Sequence, residues 1–188
     1  MSVEKQAKVW MAAVFLAFGS AAVAQEGGMP THEGKGSVSD TLDVDSGAIF
    51  DIGGGITMMF PKGLPVGHSR LVTLKKAKKK PAPAQIHAGF KALGAALEFD
   101  GALNTAGKPV QLAMSMKSDP SKAGQKIVLA MEVATFCDAH NKAFKLSNGL
   151  CSGWEMHEAG YEAGRLVAKL RSTGGMRMQF GMLPEDSD

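Results

Sequence analysis

The sequence predicts an all-β fold, an antiparallel β-sandwich, and three observations carry that expectation. Apolar residues recur at every second position in four separate segments, the mark of half-buried strands. Turn residues separate these segments at intervals of about ten residues, as in sandwiches and barrels. Beyond the N-terminus no stretch holds a helical period. Ala88 to Leu97 comes nearest, and Gly89 and Gly94 interrupt it.

The N-terminus reads as an export signal. Lys5 and Lys8 precede an uncharged apolar run from Val9 to Phe18, and Ala22-Val23-Ala24 offers the small residues a signal peptidase accepts before Gln25. A membrane anchor is the alternative, but the apolar core of about ten residues is short of the roughly 20 that span a bilayer. No cysteine lies beside the cleavage site, so a lipid anchor is not expected. The expected location is the periplasm, the outer envelope surface or the extracellular space, with no transmembrane helix after the signal is removed. The expected layout is a signal peptide over residues 1–24, a flexible leader over 25–40, one sandwich domain over 41–183 and a short acidic tail over 184–188. A formal charge of +3 on 188 residues argues against a dedicated nucleic-acid binder.

In chain order, Thr41 to Val44 and Ala48 to Ile52 read as short strands around an Asp45-Ser46-Gly47 turn. The stretch from Gly53 to Gly67 then gives glycines, an apolar run, and a Pro61-Lys62-Gly63-Leu64-Pro65 turn before Leu71 to Leu74: strand, turn, strand. Leu93 to Phe99 is a further strand. The alternation is clearest at Val110, Leu112, Met114 and Met116, and again at Ile127, Leu129, Met131 and Val133. It returns at Leu166, Ala168 and Leu170 and at Met176, Met178 and Phe180.

Gly55-Ile56-Thr57-Met58-Met59-Phe60-Pro61-Lys62-Gly63-Leu64-Pro65-Val66-Gly67 and Lys108-Pro109-Val110-Gln111-Leu112-Ala113-Met114 carry a family likeness. Their order of glycine, alternating strand, proline and turn resembles the ZU-five domain, an immunoglobulin-like β-sandwich of receptors, ankyrins and junction scaffolds. Gly160 to Ala168, after Trp154-Glu155, is similar in layout to the closing strands of bacterial relatives. The alanine that the family places after Gly63 is missing, and so is the His-Phe-Ser tripeptide at which some members cleave themselves. The resemblance implies an interaction or structural sandwich without self-cleavage.

Cys137 and Cys151 are the only cysteines. In an exported chain an even count favours a disulfide between them. A metal site is the alternative, because Cys137, His140, Cys151 and His157 supply four soft or borderline ligands. Met114-x-Met116 and Met176-x-Met178 place thioethers two apart, which suits copper. The same alternation turns them toward a core, where methionine is an adaptable filler. No cofactor is expected. Trp154 and Tyr161 together could present a surface to a sugar or peptide; the other reading has Trp154 capping a core.

Lys75, Lys76, Lys78, Lys79 and Lys80 form the one charge run, ended by Pro81 and Pro83. It reads as a solvated basic loop, or as a patch for an anionic surface such as lipid headgroups or lipopolysaccharide. The sequence holds no nucleophile elbow, phosphate-cradling glycine loop or His-Glu-x-x-His. It therefore leads to an exported non-enzymatic module for interaction, adhesion or envelope structure, its partner an unknown protein or envelope component. A periplasmic ligand-binding protein, for a metal or an anionic glycolipid, is the alternative.

Overall fold

The computed structural model describes residues 28–64, 71–101, 103–105, 107–173 and 177–185. The expected signal peptide, the end of the glycine-led stretch from Pro65 to Gly67 and Met176 lie outside the described residues. The strands are β1 (Thr31–Glu33), β2 (Ser37–Thr41), β3 (Ala48–Asp51), β4 (Ile56–Phe60), β5 (Leu71–Lys76), β6 (Lys91–Asp100) and β7 (Leu103–Asn104). They continue with β8 (Val110–Ser115), β9 (Gln125–Thr135), β10 (Cys151–Glu162), β11 (Arg165–Leu170), β12 (Ser172–Thr173) and β13 (Arg177–Pro184). A single-turn helix, α1 (Pro83–Ile86), precedes β6.

The all-β class holds. Eleven strands form one mixed sheet, ordered β1-β3-β4-β8-β11-β10-β9-β13-β6-β5-β2, and the sheet is nearly barrel-shaped. Every pairing is antiparallel except that of β1 with β3. Strands β7 and β12 make a separate two-stranded ribbon. Hydrogen bonding passes from one half of the large sheet to the other through β10. Its Cys151–Glu158 part pairs with β9 and its Ala159–Glu162 part with β11.

Residues 110–184 supply the five central strands, β8-β11-β10-β9-β13, and residues 31–100 supply both flanks. The two edge strands, β1 and β2, are consecutive in the chain, and Gly36 between them is tied to both ends of the sheet. Its N–H donates to Ile52 O (2.7 Å) beyond β3, and its carbonyl accepts from Lys76 N (2.9 Å) on β5. Its φ of 85° is one a side chain resists. The leader expected over 25–40 is therefore corrected: residues 31–33 and 37–41 are strands. Their pattern is hidden because an edge strand needs few inward apolar groups, and in β2 only Val38 is buried.

Strands β4 and β5, on either side of the turn expected from Pro61 to Pro65, do not pair with each other. β4 lies between β3 and β8, and β5 between β6 and β2. The inward residues of both halves meet in one core. Phe50 and Phe60 pack edge to face at 5.3 Å between ring centroids, and Phe60 stacks on Phe99 from β6 at 6.2 Å. Each such ring contributes about 1.5–3 kcal/mol by leaving water. Met114 and Met178 are buried in this core and Met116 packs against it, as the core reading of the methionines requires.

A second, smaller cluster lies on the outer face. Ile86 of α1 and Phe90 cover Val128 and Ala130 of β9 and Leu183 of β13, with Trp154 and Met156 at its border. Phe90 fits because Gly181 lies beneath it: a Cβ there would come within 2.2 Å of the ring. Strand β9 is thus buried on both faces from Val128 to Glu132. Helix α1 escapes a search for helical period because four residues make barely one turn. Its Gln85 side chain caps it by accepting from Ala82 N at 3.2 Å.

The expected domain end at 183 and the acidic tail from 184 also shift slightly. Pro184 belongs to β13, and Glu185 N donates to Gly124 O at 3.1 Å. Among the described residues no helix is long and apolar enough to cross a membrane.

Candidate functional site

The hairpin connection from β9 to β10 carries a dense set of side-chain bonds to its own main chain. Cys137 and Cys151 are joined, with Cα atoms 4.9 Å apart. Within the loop they close, Asp138 Oδ1 accepts from His140 N (2.8 Å) and Asn141 N (3.0 Å). The Asn141 amide in turn accepts from Asp138 N and donates to Phe136 O. Asn148 Oδ1 accepts from Leu150 N, and Ser152 N donates to Phe144 O. Such Asx bonds satisfy main-chain groups that a loop cannot pair in a ladder. Held on this frame, Phe136 is 86% exposed.

The loop also roofs a pocket of about 190 Å³ on the outer face, lined by Phe144, Leu146, Ser152, Trp154, Glu132 and Arg177. Glu132 is 2% exposed. Arg177 holds it with a fork, Nε to Oε2 at 2.6 Å and a terminal nitrogen to Oε1 at 2.7 Å. Ser152 Oγ donates to Oε1 at 2.5 Å. Burial pushes the carboxyl up, but the bonds from Arg177 and Ser152 and the guanidinium charge outweigh it. The group is held below its ordinary value. The Arg177 guanidinium also lies 5.8 Å from the Trp154 ring centroid, at cation–π distance.

Chemically this group is a clamp. A carboxylate held ionised, with both oxygens occupied, is a poor base for the Ser152 hydroxyl that already donates to it. It joins β9, β10 and β13 beneath the loop. Sequence reasoning missed Glu132, Ser152 and Arg177, yet one signal was present. On β9 the outward positions Val128 and Ala130 are apolar, which marks a covered face. A carboxylate next on that face, Glu132, then requires a cationic partner.

The other expected site residues fall as follows. The cysteine sulfurs are bonded to each other, so they offer no thiolate pair to a metal. His140 stands exposed in the loop, and His157 lies along β10. Among the described residues no cluster of three or more His, Cys, Asp or Glu side chains could hold a metal ion. Burial holds His157 below the ordinary imidazole value, against the opposing pull of Glu155. Trp154 and Tyr161 do not form one surface. Trp154 borders the outer cluster, whereas Tyr161, an odd number of residues along the strand, packs against the main core.

The lysine run divides. Lys75 and Lys76 are the end of β5 rather than loop, and Lys75 pairs with Glu98 at 2.9 Å. Lys80 Nζ donates to Gly94 O at 2.9 Å, beside the irregularity where β6 shifts register against β13. Lys78 and Lys79 stand exposed between them.

No protein-family model matches this chain and no curated protein matches it, so the ZU-five resemblance rests on the residues quoted for it.

Proposed function

We propose that this chain is an exported, non-enzymatic interaction module that engages an envelope or extracellular partner through the loop over residues 136–150. One observation carries the reading: a large aromatic, Phe136, is held almost wholly in solvent on a loop fixed by a disulfide and by Asp138 and Asn141. Ordering such a loop costs conformational entropy before any partner arrives, so less remains to be lost on binding. Aromatic side chains on rigid frames are frequent binding hot spots. The interaction role implied by the ZU-five likeness points the same way.

Photo-crosslinking in the producing cells tests this, with the crosslinker placed at Ala139 in the loop or at Lys122 between β8 and β9. The reading expects a discrete adduct from Ala139 only, lost in Phe136→Ser. Equal adducts from both positions, or an adduct that survives Phe136→Ser, would overturn it.

A second reading, binding to an anionic glycolipid or lipid surface, is favoured by one specific feature. Lys78 and Lys79 project from the turn after β5 with Lys76 beside them, and all three are exposed. Its test is set out in the Discussion.

A further inference from the structure

Strand β10 has an edge that its neighbours leave open. Ser152 N–H points away from β9, to Phe144 O. In an antiparallel ladder alternate residues direct their main-chain groups to opposite edges. Trp154, Met156 and Glu158 therefore turn theirs to the side away from β9, and Gly160 and Glu162 continue the series. The last two meet β11, opposite Val167 and Arg165. That pairing stops at Ala159 with Ala168, although β9 accompanies β10 all the way from Glu158 to Cys151. From Trp154 to Glu158, no described strand lies along this edge.

A cleft of about 670 Å³ opens where β11 departs, lined by Met156, His157 and Glu158 on one wall and Val167, Lys169 and Arg171 on the other. Its size is that of a ligand site. Among the described residues no ion pair joins the side chains of Glu158, Glu162, Lys169 or Arg171. His157 also has a buried Nε2 without a hydrogen-bond partner, 3.8 Å from the Glu155 carboxylate.

We infer that this cleft is a strand-addition site, which accepts an extended peptide segment of a partner protein along the open edge of β10. The spacing of the free groups argues for a peptide. Main-chain donors and acceptors at every second residue of a strand recur at about 7 Å, and another extended backbone repeats at the same interval. The walls add selectivity. Carboxylates on β10 face Lys169 of β11 and Arg171 just beyond it, so the favoured segment carries side chains of both signs, the acidic ones toward those two cations. This site is separate from the Phe136 loop, and neither reading depends on the other.

The test pans a phage-displayed library of short random peptides against the whole protein. Hydrogen exchange is then measured with and without a selected peptide. The amides of Trp154, Met156 and Glu158 should gain protection, and those of Gly153, Glu155 and His157, already paired with β9, should change little. Glu158→Pro removes one open-edge donor without touching the β9 ladder and should weaken binding about tenfold, the effect of losing roughly one main-chain hydrogen bond. Glu158→Gln keeps the donor and should bind nearly as the wild type does, as should Phe136→Ser. The inference fails if no peptide is enriched over an empty support, if protection falls elsewhere, or if a folded Glu158→Pro binds like the wild type. Should that variant not fold, the wild-type exchange pattern decides alone.

Discussion

His32 on β1 and Asp40 on β2 are joined side chain to side chain, Nδ1 to Oδ2 at 2.7 Å, although their strands are the opposite edges of the sheet. The imidazole rests on Phe50, 5.2 Å between centroids, so the link is anchored in the core. A contact between residues eight apart in the chain thereby fastens the first and last positions of an eleven-stranded order.

The seam should loosen in acid. The Thr41 backbone N–H, and then the bond to His32, hold the Asp40 carboxyl below its ordinary value. A carboxylate depressed in the folded state stabilises fully above its unfolded pKa of about 3.9 and loses that contribution as pH falls through the folded value. The protection of the Gly34 and Gly36 amides, taken relative to their intrinsic exchange rates at each pH, should therefore fall in the wild type below about pH 4. Asp40→Asn should show the lower protection already at neutral pH. Identical protection in the two proteins at neutral pH would remove the seam's dependence on this pair.

Arg177→Met should leave Glu132 buried without its cation. Breaking a buried pair from one side costs about 3–5 kcal/mol, and the partial exposure of Arg177 places this case at the low end. Because Glu132 is depressed in the wild type, its stabilisation is complete above the ordinary carboxylate range and fades as pH falls through the folded value. The deficit of the variant should thus be largest near pH 7 and shrink toward pH 4, where the orphaned carboxyl protonates. Urea unfolding at the two pH values measures it, and a pH-independent deficit would contradict the clamp.

Reducing the Cys137–Cys151 bond, or replacing both residues with serine, should cost about 3 kcal/mol in the chain-entropy account of a loop this short. The roof over Trp154 should also loosen, so tryptophan emission should shift and an aqueous quencher should gain access before global unfolding. Two alkylatable thiols in the native protein would count against the bond itself.

The five lysines should not behave alike. Lys78→Gln with Lys79→Gln should weaken sedimentation with anionic vesicles or lipopolysaccharide by about 1 kcal/mol per charge at low salt. High salt should abolish the difference, since screening acts within about 8 Å at physiological strength. Thermal stability should hardly move. Lys80→Gln should instead lower stability by about 1 kcal/mol through the lost bond to Gly94 O. If the wild type and the double variant sediment equally at low salt, Lys78 and Lys79 are plain solvated surface.

Replacing Gly181 with alanine should destabilise by about 1–3 kcal/mol, the usual range for overpacking. Its Cβ would meet three atoms of the Phe90 ring at 2.2 to 2.8 Å, and Phe90 is itself 4% exposed. Thermal unfolding reads the effect. Combining the change with Phe90→Leu should restore part of the loss.

What could be read from the chain was whatever repeats locally. Val110 to Met114 and Leu166 to Leu170 alternate because each has one face in the core, and the structure pairs them as neighbours, Leu112 opposite Ala168. The cysteine pairing was equally accessible, since the residues sit fourteen apart and the chain has no third cysteine. Three things were not accessible. Strands β1 and β2 carry too few apolar residues to show a period, because their place at the seam rests on main-chain and polar bonds. The partners of β4 and β5 depend on strands far along the chain, and no local signal at Pro61 or Gly63 specifies them. The Glu132–Arg177 clamp spans 45 residues, so each member looks like ordinary surface charge until β13 is laid beside β9.

The distribution of strands between the two halves of the chain also governs the order in which the molecule can be assembled. The N-terminal strands leave the ribosome first, yet β4 must wait for β8, and β6 must wait for β13 at residues 177–184. Both flanks therefore remain open, with unpaired edges, until the central strands exist to receive them. Contacts so distant in sequence form slowly and expose the waiting strands to association with other chains. Under the proposed export, in which the chain would cross a membrane unfolded, this arrangement costs nothing, because the fold is not due until the far strands have arrived.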